Sequence, residues 1–277
     1  MNQILRAKKI GFLGAGNMAQ AILRGLLETD YIQAKQIWVS NRTPGKLQKL
    51  EQDHHINIAK SNEELVENTD IVILAVKPQD LLGAIDPIAG LFTENHIVIS
   101  LAAGIRMETL EKHLQESRLC RLMPNTPSLI GRGVLGYLMN DEDDAGLDDI
   151  MESLFEKLGM VLKMADEDQL EALTVAASAG TGFVFELMMY WQDWIEEHGF
   201  DTQLARKMTV ETFLGAALLA QGAQDVGLEE LQARVASRKG VTAAGLQSMR
   251  ELEIERALRI SFEKAAMRNS ELSRDLK

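Results

Sequence analysis

Cysteine is all but missing: Cys120 is the single one in 277 residues. No intrachain disulfide can form, which fits a reducing compartment. Cys120 lies in an apolar, strand-like run and reads as a buried, inert thiol rather than a nucleophile. Histidine is sparse too. His54-His55, His96, His113 and His198 are scattered, with no Cys/His cluster at metal-ligand spacing, so no metal site is expected and each histidine reads as structural. Positive charge is short: the formal net charge of −12 gives a surface that repels nucleic acid and anionic membranes and discounts both as partners. An anionic ligand must then be captured by local groups. No apolar signal core follows the basic N-terminal residues, and the uncharged stretch Leu173–Phe185 is too short to span a bilayer before Glu186 ends it. A cytoplasmic protein is expected. There is no internal repeat and no low-complexity tract, and the acidic stretch Asp141–Asp149 reads as a solvated loop. What remains is a chain of ordinary soluble composition, long enough for two domains with real cores.

Residues 10–19 read IGFLGAGNMA. An apolar run from Ile4 to Phe12, broken by basic residues, leads into Gly14-Ala15-Gly16, and a helical pattern follows from about Met18 to Glu28. Strand, glycine turn and helix at G-x-G-x-x-A spacing make a dinucleotide-binding turn. Gly14 permits the tight turn, Gly16 lets a pyrophosphate approach the backbone, and Ala19 lets the helix pack close to the strand. The helix start then offers free N–H groups and a positive dipole end to phosphate. A plain strand-to-helix turn can carry the same string; the flanking strand and helix favour the binding turn.

The first part alternates strands and helices. Further apolar runs at Ile37–Val39, Ile71–Val76, Ile97–Ala103, Leu119–Met123 and Val134–Met139 are continuous rather than alternating, as expected of a parallel sheet covered on both faces. Helices are read at Lys46–His54 and from Gln79 onward. Five post-strand loops are polar or rich in Gly and Pro: GAGNMA, Ser40–Thr43, Ala75–Gln79, Ala102–Gly104 and Met123–Pro127. In an open α/β sheet such ends share one edge, where ligands bind. From about Asp166 strand signals vanish, and helical patterns run over Asp166–His198, Asp201–Gln224 and shorter stretches to Leu276. The fold class is therefore α/β: a Rossmann-type, doubly wound, mostly parallel sheet over residues 1–164, followed by an all-α domain over 165–277. The helices carry more apolar residues than a small bundle can hide, which predicts a dimer interlocked through them; a self-contained bundle is the alternative.

Domains that bind NAD place Asp or Glu at the end of the second strand, against the ribose 2′-OH. Here that position reads Ser40-Asn41-Arg42-Thr43, without a carboxylate. Arg42 suits a phosphate monoester, and Ser40 and Thr43 add hydroxyls. This favours NADPH, with NADH left open.

The set GFLGAGNMA, VKPQ, SLAAGI, MPNTP and ASRKGVTAAGL resembles the pyrroline-5-carboxylate reductases, the last enzymes of proline synthesis, over nearly the whole chain and in the right order. The resemblance implies a Rossmann-type domain, a helical domain through which the chains dimerise and often assemble further, and reduction of a cyclic imino acid by NADPH or NADH. It implies Gly14, Gly16, Asn17 and Met18 at the pyrophosphate, Ser40, Asn41, Arg42 and Thr43 at the adenosine ribose or its phosphate, Val76, Lys77 and Pro78 along the cofactor groove, and Asn125 beside the nicotinamide. The family's substrate loop, S-P-G-G-T-T at a helix start, reads here Ser237-Arg238-Lys239-Gly240-Val241-Thr242. Ser237, Gly240, Val241 and Thr242 are thereby the expected substrate residues, with Thr242 catalytic. Its G-S-G-P-A-Y reads Ser178-Ala179-Gly180-Thr181-Gly182-Phe183, without the proline or the tyrosine hydroxyl. The cofactor half is better matched than the substrate half. A related oxidoreductase of another imine or a hydroxy acid, or a nucleotide-binding paralogue with altered catalysis, stays open on that ground. The chemistry asks little of the chain. A pyrroline nitrogen is basic enough to be protonated near neutrality, so no strong acid is required. The protein must bind the ring carboxylate and align the C=N carbon.

Overall fold

A computed structural model of the chain describes residues 5–275. Ile4, at the start of the first apolar run, and Leu276, at the end of the last helical pattern, lie outside the described residues. Two compact units divide the rest: one holds the chain up to Ala179 together with the stretch from Ala265, the other is Gly180–Lys264.

The first unit is built on an eight-stranded sheet: β1 (Ile10–Leu13), β2 (Ile37–Ser40), β3 (Asn57–Ile58), β4 (Ile71–Leu74), β5 (Ile97–Ser100), β6 (Arg118–Met123), β7 (Gly133–Met139) and β8 (Gly159–Lys163). The spatial order is β3-β2-β1-β4-β5-β6-β7-β8, parallel throughout except for the antiparallel β6–β7 pair. This is the mostly parallel, doubly wound sheet expected. Order reverses between β1 and β4, which opens a crevice at their carboxyl ends. β1, β4 and β5 are buried at every residue, which is why their sequences are unbroken apolar runs. Successive side chains point to opposite faces. Phe12, Ile73 and Ile99 pack under α1 (Asn17–Leu27) and, further along the sheet, α6 (Ala145–Phe155). Leu13, Leu74 and Val98 pack on the other face with α3 (Asn62–Glu67), α4 (Pro78–Ile85) and α5 (Met107–His113), while α2 (Pro44–His54) joins β2 to β3. Two strands stop earlier than their apolar runs. Ala75 and Leu101 each add one more ladder bond, to Leu13 and Leu74, before the chain turns away.

The acidic stretch 141–149 is not simply solvated. The Asp144 carboxylate caps α6 and takes two bonds from Arg118, at 2.7 and 2.8 Å. Asp148 accepts from the Tyr137 hydroxyl at 2.8 Å and from Lys163 at 2.6 Å. These partners are remote in sequence and out of reach of a local reading. Cys120 is fully buried, and burial pushes its thiol far above its ordinary range.

After β8, Asp166 caps α7 (Glu167–Leu173), a π-helical turn follows at Thr174–Ala179, and the chain continues into α8 (Gly180–Glu197). The uncharged stretch Leu173–Phe185 thus lies in a helical run, Glu167–Glu197, which by length and apolarity alone is able to cross a membrane. The helix continues past Glu186, where the sequence reading ended the stretch. In the second unit α8 is followed by α9 (Thr202–Gly222), α10 (Leu228–Val235), α11 (Val241–Glu251) and the start of α12 (Ile254–Asp275). Apolar residues here are mostly uncovered: Trp194 is 60% exposed and Leu219 69%, and no residue of α10 or α11 is buried. Faces of this size mark an interface rather than a finished surface.

Candidate cofactor and substrate site

The glycine turn shows two glycines with different reasons. Gly14 has φ +110°, and a Cβ there would sit 2.8 Å from the Ala75 carbonyl and 2.9 Å from the Val76 nitrogen. Those are backbone atoms just past β4, where Ala75 N–H is still tied to Leu13, and they yield only by shifting the chain. At Gly16 the backbone is ordinary (φ −71°, ψ 175°), and a Cβ would meet nothing nearer than the Ala75 carbonyl oxygen at 3.9 Å. The space above Gly16 is kept clear of the chain itself. Gly16 begins α1 without a side-chain cap, so the first N–H groups of the helix face that space. The turn is tied to β2: Gly14 N–H donates to the Ser40 carbonyl (2.8 Å) and Ala15 N–H to Asn41 Oδ1 (3.2 Å). Ala19 is buried, close against the strand.

A cleft of about 360 Å³ opens here. Gly16, Asn17 and Met18 line one side, Ala75, Val76 and Lys77 the next, then Leu101 and Ala103, then Met123 and Pro124, closed by Thr174 and Ser178 of the π turn. Four of the five post-strand loops therefore meet in one cavity. The fifth, Ser40–Thr43, does not line it but is joined to it through the two bonds from the glycine turn. Ser40 is buried and donates to Asn62 Oδ1 at 2.5 Å. Asn41 Nδ2 holds the Thr43 carbonyl at 3.0 Å. Arg42 and Thr43 are exposed. Lys77 is exposed at the start of α4, with Pro78 as its first residue.

Asn125 is placed otherwise than a ligand-facing amide. It is buried, its Oδ1 accepts from Val134 N–H at 2.9 Å, and its Nδ2 donates to the Ala177 carbonyl at 3.2 Å. Its polar atoms are spent fastening the β6 loop to β7 and to the π turn. Thr174 and Ser178 were not foreseen as cleft residues. Ser178 falls in a motif already marked for its departure from the family pattern; the π turn that presents both hydroxyls has no sequence signal. Both hydroxyls donate within the protein, Thr174 to Leu170 (2.8 Å) and Ser178 to Pro124 (3.3 Å).

Ser237–Thr242 lies in the second unit. Gly240 N–H closes a turn onto the Ser237 carbonyl at 3.0 Å, and Gly240 starts α11 with no side-chain cap. Val241 is 92% exposed and Thr242 is exposed. Thr242 is thus not the helix cap, the structural role open to it. Lys239 stands at φ +58°, a left-handed conformation that favours glycine, at the position where the family pattern has one. Among the described residues no group of three or more His, Cys, Asp or Glu is arranged to hold a metal ion.

Comparison with known proteins gives two separate family matches. Residues 9–104 match the family described as NADP oxidoreductase coenzyme F420-dependent, and residues 167–272 match pyrroline-5-carboxylate reductase dimerisation. The chain is 32% identical to the pyrroline-5-carboxylate reductase of Pseudomonas aeruginosa, over 97% of this chain and 98% of that one. It is 30% identical to the Arabidopsis thaliana enzyme of that name, over 96% and 95%. The solved structure of a pyrroline-5-carboxylate reductase from Coxiella burnetii superposes with a TM-score of 0.86 at 30% identity, covering 98% of both chains. The Plasmodium falciparum pyrroline carboxylate reductase solved with NADP bound has the same fold, with a TM-score of 0.85 at 22% identity over 97% and 99%.

Proposed function

The chain belongs to the pyrroline-5-carboxylate reductase family, and on that premise we propose how its own residues reduce 1-pyrroline-5-carboxylate to L-proline. It is an NAD(P)H-dependent oxidoreductase of proline biosynthesis, and it carries a dimerisation domain. The observation that carries the site is the clear space over Gly16 at an uncapped helix start, beside a cavity built from four strand-end loops.

The residues present fit a dinucleotide. Gly14, Gly16, Asn17 and Met18 hold its pyrophosphate through backbone N–H groups and the positive end of α1. Ser40, Asn41, Arg42 and Thr43 take the adenosine ribose, and the exposed Arg42 guanidinium selects the extra phosphate of NADPH over NADH. Val76, Lys77 and Pro78 flank the groove, with Lys77 adding positive charge. Asn125 acts on the nicotinamide end from behind, by setting the β6 loop. When bound, the reduced nicotinamide supplies a hydride. Leu101, Ala103, Met123 and Pro124 give an apolar wall that keeps water from the reacting carbon.

The substrate is a small anion, and Ser237, Gly240, Val241 and Thr242 form its seat. The uncapped N–H groups at the start of α11 take the ring carboxylate, and the Thr242 hydroxyl bonds the ring nitrogen or relays a proton to it through water. No stronger acid is needed, since the iminium is already the electrophile.

We place the functional division at 164/165, where the sheet is complete and just before the dimerisation match begins. Self-association uses the helices beyond it: their exposed apolar faces meet a second copy rather than lipid, and nucleic acid is no partner of a chain this acidic. The enzyme works in the cytoplasm. The test is spectrophotometric: imine-dependent oxidation of NADPH, compared with NADH, in the purified protein. Turnover with a lower KM for NADPH supports the reading, and no turnover with either coenzyme rejects it.

A further inference from the structure

Beneath the cleft lies a charged cluster that the reaction does not use. Arg121, in the middle of β6, is 3% exposed in its side chain, yet its strand neighbours Leu119, Cys120, Leu122 and Met123 are all buried and apolar. Its guanidinium pairs with Glu167, on the first turn of α7, and its Nε has no partner. The other Glu167 oxygen accepts from Met107 N–H at 2.7 Å, at the start of α5. One turn on, Glu171 takes a two-bond fork from Arg106, at 3.1 and 2.6 Å. Burial pulls the Arg121 guanidinium below its ordinary pKa and Glu167 opposes that, while Glu171 raises Arg106. Methionine or leucine would fill the Arg121 position without desolvating a charge. A buried ion pair is weak evidence for stability and is best explained by what it fixes in place.

What it fixes can be read from the chain. Arg121 stands two residues before Met123, and the β5–α5 link carries Leu101 and Ala103 just before Arg106 and Met107. α7, with Glu167 and Glu171, runs straight into the π turn of Thr174 and Ser178. Three walls of the cleft thus each send charged or polar groups into a single knot below it. These are the walls beyond β4, away from the Ser40–Thr43 end. We propose that Arg121 and Glu167 are positioning residues, which lock the three walls around the nicotinamide and imine. This rests on the reading that the cleft receives the reduced coenzyme.

The experiment compares Arg121→Met, Glu167→Gln and the double variant with wild type and with Arg118→Met. The last breaks a half-buried pair to Asp144 at the start of the same strand. Steady-state kinetics are measured well below each melting temperature, with hydrogen exchange followed over residues 167–179. We expect kcat per folded molecule to fall about tenfold or more in both single variants, since small misplacement of reacting groups is enough for that. KM for NADPH should stay within about threefold, because the phosphate contacts at α1 are untouched. Exchange over 167–179 should rise. The double variant leaves no unpaired buried charge and should recover melting temperature without recovering kcat. The proposal is overturned if the single variants keep wild-type kcat or fall only as far as Arg118→Met. It is equally overturned if exchange over 167–179 is unchanged, or if the double variant regains kcat together with stability. Wild-type protein that binds NADPH but turns over no imine would instead reject the functional reading.

Discussion

Replacing each turn glycine by alanine separates folding from coenzyme binding. At Gly14 the new methyl lies 2.8 Å from the Ala75 backbone and the residue keeps φ +110°. Strain of about 1–3 kcal/mol for the dihedral alone, with displacement of the Ala75–Val76 backbone added, makes Gly14→Ala a folding mutation. At about 2–4 °C per kcal/mol for a unit of this size, the melting temperature should drop by roughly 5–10 °C. At Gly16 the dihedrals suit alanine and the nearest atom is 3.9 Å away. There the loss of unfolded-state freedom makes Gly16→Ala neutral or stabilising by about 0.4–1 kcal/mol. Its methyl nonetheless fills the space over the helix start. Losing one or two charge-assisted bonds to phosphate, each worth about 1.5–3 kcal/mol, weakens NADPH about tenfold to ten-thousandfold. Thermal unfolding of the free protein and fluorescence titration of NADPH read the two effects apart. A Gly16→Ala protein that melts as low as Gly14→Ala while binding NADPH normally would refute the assignment.

Arg42→Ala should raise KM for NADPH about tenfold or more and leave NADH nearly unchanged, since only the extra phosphate loses its charged partner; equal effects on both coenzymes would argue against that role. Thr242→Val should lower kcat about a hundredfold, the lower range for loss of a proton-transfer group, without moving the melting temperature, because Thr242 does not cap α11. Lys239→Gly should raise stability by up to about 1 kcal/mol by relieving the left-handed backbone at φ +58°, measured by denaturant midpoint; a destabilised variant would show that the lysine side chain, not the backbone, sets that turn.

Much of this was legible from residue order, and the exceptions have physical reasons. β1, β4 and β5 announce themselves because both faces are buried, which demands unbroken apolar runs. β3 has two residues and β8 is a half-exposed edge strand, so neither concentrates enough apolar character to stand out. The charged residues of α3 mask a helix whose two buried positions are Leu65 and Val66. At the site, the glycine turn and the MPNTP and AAG loops could be found because turns need particular residues. The π turn at Thr174–Ala179 could not: its sequence, TVAASA, is as good an α-helix. The MPNTP motif marks Asn125 as a site residue but not how its amide is used: buried, it takes the partners nearest to it, Val134 and Ala177. The Arg121–Glu167 pair joins residues 46 apart in sequence, and no local pattern predicts it.

The central claim is that the crevice where strand order reverses holds the reduced coenzyme, phosphates against the start of α1. A crystal structure of the protein with NADPH tests it most directly. The account predicts pyrophosphate oxygens about 3 Å from the N–H groups of Asn17 and Met18, the 2′-phosphate at Arg42, and the nicotinamide between Met123 and Ala103. Coenzyme bound elsewhere on the chain at saturating concentration, with the space over Gly16 left clear, would contradict it.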